Sequence, residues 1–161
     1  MKLNGARMAA AAAALAILLV SQSGLRAHAQ AGSAVTIPEA QLMQPEELNQ
    51  LLSAAGGQKP LVLQVGSHVL FTESHIKGSE YAGPGSQDAG LKALTDRVSS
   101  LPRNTFIVIY CGCCPWGRCP NIAPAYKTLT GMGFTHVKAL YLANNFGADW
   151  AGKGYAVESG Q

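Results

Sequence analysis

The sequence predicts a single α/β domain, a parallel sheet with helices on both faces. Three observations carry that expectation. Short apolar runs at 61–65, 105–110 and 137–142 have the length of strands, and the middle one is dense in β-branched and aromatic residues. Segments whose apolar residues recur at helical spacing lie between them. Glycine and proline stand at the joins, where the chain must change direction. Strands alternating with helices imply parallel neighbours, and such sheets carry their functional loops at the carboxyl ends of strands.

In chain order, Pro45 suits a first helical turn, and Leu48, Leu51, Leu52 and Ala55 make one apolar stripe that stops at Gly56 and Gly57. Pro60 then opens the run Leu61, Val62, Leu63, Gln64, Val65, which reads as a strand buried on both faces. Residues 67–87 show no period and are expected to be irregular, with a loop at Gly83, Pro84, Gly85 and Ser86. Leu91, Leu94, Val98 and Leu101 mark a second helix before Pro102. The strongest strand signal, Thr105 to Tyr110, runs straight into Cys111. Ile122, Ala125, Tyr126, Leu129 and Met132 define a third helix with Gly133 as its stop, and 137–142 is the last strand. Asp149 and Trp150 read as structural.

The charge is unevenly placed. Of 161 residues, 12 are Lys or Arg and 9 are Asp or Glu, but Lys2, Arg7 and Arg26 precede Gln30 and no acid does. Lys2 and Arg7, the apolar run 8–20 and the small-residue pattern Ala27, His28, Ala29 predict a signal peptide over 1–29. At about 1.5 Å per residue, that run falls short of a hydrocarbon core of about 30 Å, so no membrane span is expected after processing. The expected location is the periplasm, with an N-terminal extension over 30–43 and the domain over 44–161. Beyond residue 29 the two signs of charge balance at nine each. A neutral domain excludes nucleic acid as a partner.

All four cysteines, Cys111, Cys113, Cys114 and Cys119, lie within nine residues. A disulfide-stapled domain scatters its cysteines to close long loops, so these four point to local chemistry. Thiols react as thiolates, and a helix N-terminus favours negative charge through unpaired N–H groups. The loop after the Tyr110 strand feeds such a terminus near Asn121. Gly112, Cys113, Trp116 and Gly117 are the candidate anion-binding backbone, and Arg118 adds a permanent positive charge. A cysteine cradled there is expected to have a depressed pKa and to accept a small anionic sulfur compound. Trp116 is equally suited to shielding the sulfur or packing on the sheet, and His75 to tying a loop by hydrogen bonds.

From Gln44 to Val157 the chain resembles rhodanese-like domains. The ordered pieces are Pro45-Glu46-Glu47-Leu48 followed by Pro60-Leu61-Val62-Leu63, then His75-Ile76-Lys77-Gly78-Ser79 and Ile107-Val108-Ile109-Tyr110-Cys111. Ala125 to Leu129 with Gly133-Phe134 and Val137, then Trp150, Gly154 and Val157, complete the set. The resemblance implies a rhodanese-like α/β fold and a sulfurtransferase of the thiosulfate type. Its cysteine takes sulfane sulfur from a small anionic donor, becomes a persulfide and hands the sulfur to a thiol acceptor. No cofactor is expected, and no metal is assigned to the site. By position after the strand, Cys111 is the nucleophile, with Cys114 or Cys119 resolving the persulfide and Arg118 holding the leaving anion.

Two departures bear on that reading. Where the family has Asp-x-Arg after its early strand, this chain has Gln64, Val65 and Gly66. The family's shorter loop, Cys-x-x-Gly-x-Arg, fits Cys114, Pro115, Trp116, Gly117 and Arg118 in length and glycine position, so Cys114 competes with Cys111. Cys111 and Cys114 also form a C-x-x-C pair suited to a reversible disulfide. That pair resembles the C-x-x-C-W motif of a periplasmic rhodanese-related group associated with quinoprotein catabolism, except that Pro115 precedes Trp116. A thiol–disulfide protein with a periplasmic redox partner, and a non-catalytic binding module, are therefore the alternatives. A metal held by Cys111, Cys114 and Cys119 is a lesser one. The loop has no His, and vicinal Cys113 and Cys114 would strain one tetrahedron.

Overall fold

The computed structural model describes residues 37–160; the predicted leader and the first half of the extension lie outside them. The main sheet has five strands, β1 (Leu42–Met43), β2 (Leu61–Gln64), β4 (Glu80–Tyr81), β5 (Ile107–Tyr110) and β6 (Val137–Leu140). Their spatial order is β1-β6-β5-β2-β4, and every neighbouring pair is parallel. A small antiparallel pair, β3 (His75–Ile76) with β7 (Val157–Glu158), stands apart.

Among the described residues the α-helices are α1 (Pro45–Ser53), α2 (His68–Glu73), α3 (Asp88–Val98), α4 (Ile122–Gly131) and α5 (Phe146–Asp149). Strand alternation divides the core between the two faces of the sheet. Ile107, Ile109 and Cys111 pack with Leu94 and Val98 of α3 and with Ile122, Ala125 and Leu129 of α4. Val108 and Tyr110 pack on the other face with Leu48 of α1 and Trp150. Both faces are thus covered, as the alternating pattern predicted.

Two regions differ from the sequence expectation. Leu42 and Met43, assigned to the N-terminal extension, form the edge strand β1, in register with Ala139 and Leu140. Two residues are too few to show a period. The stretch 67–87, expected to be irregular, contains α2, β3 and β4. Only Phe71 of α2 is buried, whereas Val69 and Leu70 are exposed, so the helix carries no apolar stripe. Its Ser67 cap bonds the first turn through its backbone carbonyl, which accepts from Phe71 N.

Among the described residues, no helix is long and apolar enough to cross a membrane.

Candidate active site

Cys111 leaves the carboxyl end of β5, the middle strand, and is 4% exposed. Its backbone is fixed from β2. Gln64 is buried, and its Nε2 donates to Cys111 O at 3.2 Å while its Oε1 accepts from Gly66 N at 3.0 Å. This neutral amide occupies the place where the charged Asp-x-Arg support is absent. Gly66 is required by space, because a Cβ there would stand 2.9 Å from both the carbonyl oxygen and the sulfur of Cys111.

The sulfur of Cys111 is held from α4. Asn121, the residue before that helix, donates from Nδ2 to Cys111 Sγ at 3.2 Å and accepts Ser86 N at Oδ1, 3.0 Å. Neither Gln64 nor Asn121 was singled out by the sequence as a supporting residue, although Asn121 marks the predicted helix start. Their partners lie far along the chain or around the loop, and no local pattern encodes such contacts.

The cysteine loop is short of regular structure but well tied. Gly112 takes a left-handed conformation, φ +79°, and a Cβ there would meet that of Phe146 at 2.7 Å. Phe146 N donates to Gly112 O at 3.0 Å, and Trp116 N to Ala143 O at 3.4 Å, so the loop after β6 clasps the cysteine loop. Trp116 is half-buried and lies 5.3 Å from the ring of Tyr141. Residues Trp116–Arg118 form one 3-10 turn, on which Gly117 and Arg118 are exposed.

The structure brings three of the four sulfurs together. Cys111, Cys113 and Cys119 place their Sγ atoms within 4.8 Å of one another, and the Cys111–Cys113 separation is 3.0 Å. Cys114 stands outside this trio, 3.3 Å from Cys113. The sulfur 3.0 Å from Cys111 therefore belongs to Cys113, not to the Cys114 of the C-x-x-C spacing.

Charge is distributed unequally among the four. The Cys119 thiol is pulled down to about 6, first by the hydrogen bond from Cys111 and then, against burial, by the N–H groups of Asn121 and Ile122. Cys111 moves the opposite way, well above the ordinary thiol range, because it donates to Cys119 and is buried. Burial pushes Cys114 up to about 12. The depressed pKa expected of a cradled cysteine is thus found on Cys119, which the first turn of α4 faces.

A cleft of about 330 Å³ opens on Cys111 and Cys113, with Gln64, Leu70, Glu73 and Phe146 among its walls. Glu73 is its one charged lining residue, and Arg118 is not part of it. On the far side, Cys111, Cys114 and Cys119 share a void of about 10 Å³ with Trp116, Ile122 and Leu142, too small to take a ligand.

Comparison with solved structures shows what this architecture is. The chain superposes on the rhodanese-like domain of the Alr3790 protein from Anabaena sp. in solution, with a TM-score of 0.56 and 24% identity over 74% of this chain and 79% of that one. The fold is rhodanese-like. A crystal structure of the same Anabaena protein gives a TM-score of 0.56 at 24% identity, covering 73% of this chain and 82% of that one. The BH2092 protein from Bacillus halodurans gives 0.55 at 21%, covering 73% and 75%. No family model and no curated protein matches the chain. In this rhodanese-like fold, Cys111 stands at the carboxyl end of the middle strand.

Proposed function

We propose that this rhodanese-like domain moves sulfane sulfur through a persulfide on Cys111, in the periplasm. The observation that carries the reading is one buried thiol at the end of the middle strand, beside a cleft, with an amide N–H on its sulfur. Cys111 passes its proton to the Cys119 thiolate beside it and, as thiolate, attacks the outer sulfur of a donor. A sulfur–sulfur bond forms at Cys111 while the donor's own sulfur bond breaks, and the remainder departs with the bonding electrons. An acceptor thiolate then attacks the terminal sulfur and Cys111 leaves as thiolate, so the protein ends as it began. Asn121 Nδ2 stands where it can stabilise charge on Cys111 in both steps. The donor class is a small sulfur compound such as thiosulfate. An anionic donor would meet Glu73 and no basic side chain among the walls of the cleft.

The test is release of thiocyanate from thiosulfate and cyanide. Activity lost in Cys111→Ser and kept in Cys114→Ser supports the assignment; activity kept in Cys111→Ser would overturn it.

A second reading is favoured by the 3.0 Å separation of Cys111 and Cys113. In it the two thiols reduce a substrate disulfide to its two thiols by exchange, become a disulfide themselves, and are returned to thiols by the dithiol of a periplasmic partner, which leaves as a disulfide. Intact mass of protein taken from the periplasm separates the two. A gain of one sulfur supports transfer, whereas a loss of two hydrogens restored by reductant supports exchange.

A further inference from the structure

We propose that Cys111, Cys113 and Cys119 form a three-sulfur site for a soft monovalent cation of the Cu(I) class. The sequence keeps a metal on Cys111, Cys114 and Cys119 only as a lesser alternative, partly because vicinal Cys113 and Cys114 would strain a single tetrahedron. The structure removes that objection, since the sulfurs that converge leave Cys114 out.

The geometry is close to what an ion needs. Three thiolates around one centre at a bond length of about 2.3 Å stand about 4 Å apart when coplanar. The three sulfurs already lie within 4.8 Å of one another, with Cys111 and Cys113 at 3.0 Å, so sub-ångström shifts make the triangle. Gly112 between the first two ligands gives the loop its turn, and Cys119 reaches in from the start of α4. Asn121 Nδ2 lies 3.2 Å from Cys111 Sγ and 4.0 Å from Cys113 Sγ, a neutral donor beside a negatively charged sulfur set.

The donor set selects the cation. Thiolates favour soft ions, and among the described residues no imidazole or carboxylate joins the trio. Structural zinc sites are almost always four-coordinate. Here Cys114 touches Cys113 but does not belong to the mutually close set, and Trp116, Ile122 and Leu142 line a void of only about 10 Å³ on the far side of the cluster. A cation content with three sulfurs fits this arrangement better than one that requires a fourth ligand. Binding releases a proton from each ligand that was a thiol and involves no change of oxidation state. An ion seated here blocks the Cys111 sulfur, so the loaded protein carries no persulfide.

The full-length chain, reduced and held without oxygen, is titrated with Cu(I) against a coloured Cu(I) chelator. One equivalent should be withdrawn by the wild type, and copper-edge X-ray absorption should show three sulfur neighbours. Cys113 is exposed, so Cys113→Ser is expected to fold; it should weaken Cu(I) binding at least tenfold, and Cys114→Ser less than threefold. Failure of the wild type to withdraw copper, two or four sulfur neighbours, or an equal loss in Cys114→Ser would overturn the site. The titration uses no sulfur donor, so its outcome is independent of the thiocyanate assay.

Discussion

Tyr110 and Cys111 are consecutive residues at the end of β5, almost equally buried at 1% and 4%, yet they lead different chemical lives. Strand alternation sends them to opposite faces. The Tyr110 hydroxyl accepts Ile76 N at 3.2 Å and shares a hydrogen bond with Ser79 Oγ at 3.0 Å. Burial pushes its pKa up to about 12, so it stays a neutral strut between β5 and the β3 segment. Cys111 faces other sulfurs and an amide that tolerate a change of charge. Burial alone does not make a group inert or reactive; the titratable company it keeps decides.

The largest expected effect is on the reactive side. Cys111→Ser should lower thiocyanate formation by about a hundredfold or more, since an alcohol is a far weaker nucleophile than a thiolate at neutral pH. Tyr110→Phe should instead cost about 1–3 kcal/mol of stability, because Ile76 N and Ser79 lose a buried partner. Denaturant titration measures that cost. Should Tyr110→Phe abolish transfer while leaving stability intact, the division between the two faces fails.

Gly66→Ala should destabilise by about 1–3 kcal/mol and lower transfer together, because the new methyl enters the space of the Cys111 carbonyl and sulfur. Asn121→Leu removes the amide from Cys111 Sγ and from Ser86 N. Transfer should fall about tenfold, with the loss concentrated in kcat rather than KM, as for a donor that stabilises developing charge. Glu73→Gln removes the one charged residue lining the cleft and should raise kcat/KM for thiosulfate about two- to fivefold at low salt, and less as salt screens the charge.

The smallest effect lies away from both faces. Arg97 donates through Nε and Nη2 to the Glu80 carboxylate at 2.5 and 2.8 Å, which holds that carboxyl below its usual range. A carboxyl lowered in the folded state stabilises above its unfolded pKa, and the gain is lost as pH falls through the folded value. The pair is partly exposed, so about 1 kcal/mol or less is at stake. Arg97→Gln should lower the melting temperature at neutral pH and converge with the wild type in acid.

Sequence legibility followed the same physical divide. The run Ile107–Tyr110 announced its strand because every residue is buried and favours extended backbone. Helix α4 was legible through Ile122, Ala125 and Leu129, which share one face. Helix α2 was not, because a single buried Phe71 leaves no repeat. Cys111 could be found from its place after a strand, but its supports could not. Gln64 reaches a carbonyl 47 positions away, and Asn121 reaches a sulfur across a loop of nine intervening residues. Spacing favoured Cys114 as the partner thiol, whereas the left-handed turn at Gly112 brings Cys113 to Cys111. Arg118 looked placed for an anion, but the 3-10 turn leaves it exposed and outside the cleft walls.

The bonds from Phe146 N to Gly112 O and from Trp116 N to Ala143 O join two loops that follow neighbouring strands. The cysteine segment is therefore not a portable cassette. Grafted alone onto another rhodanese-like scaffold, it would arrive without the second loop that splints its middle. A successful transplant would have to carry residues 143–146 as well.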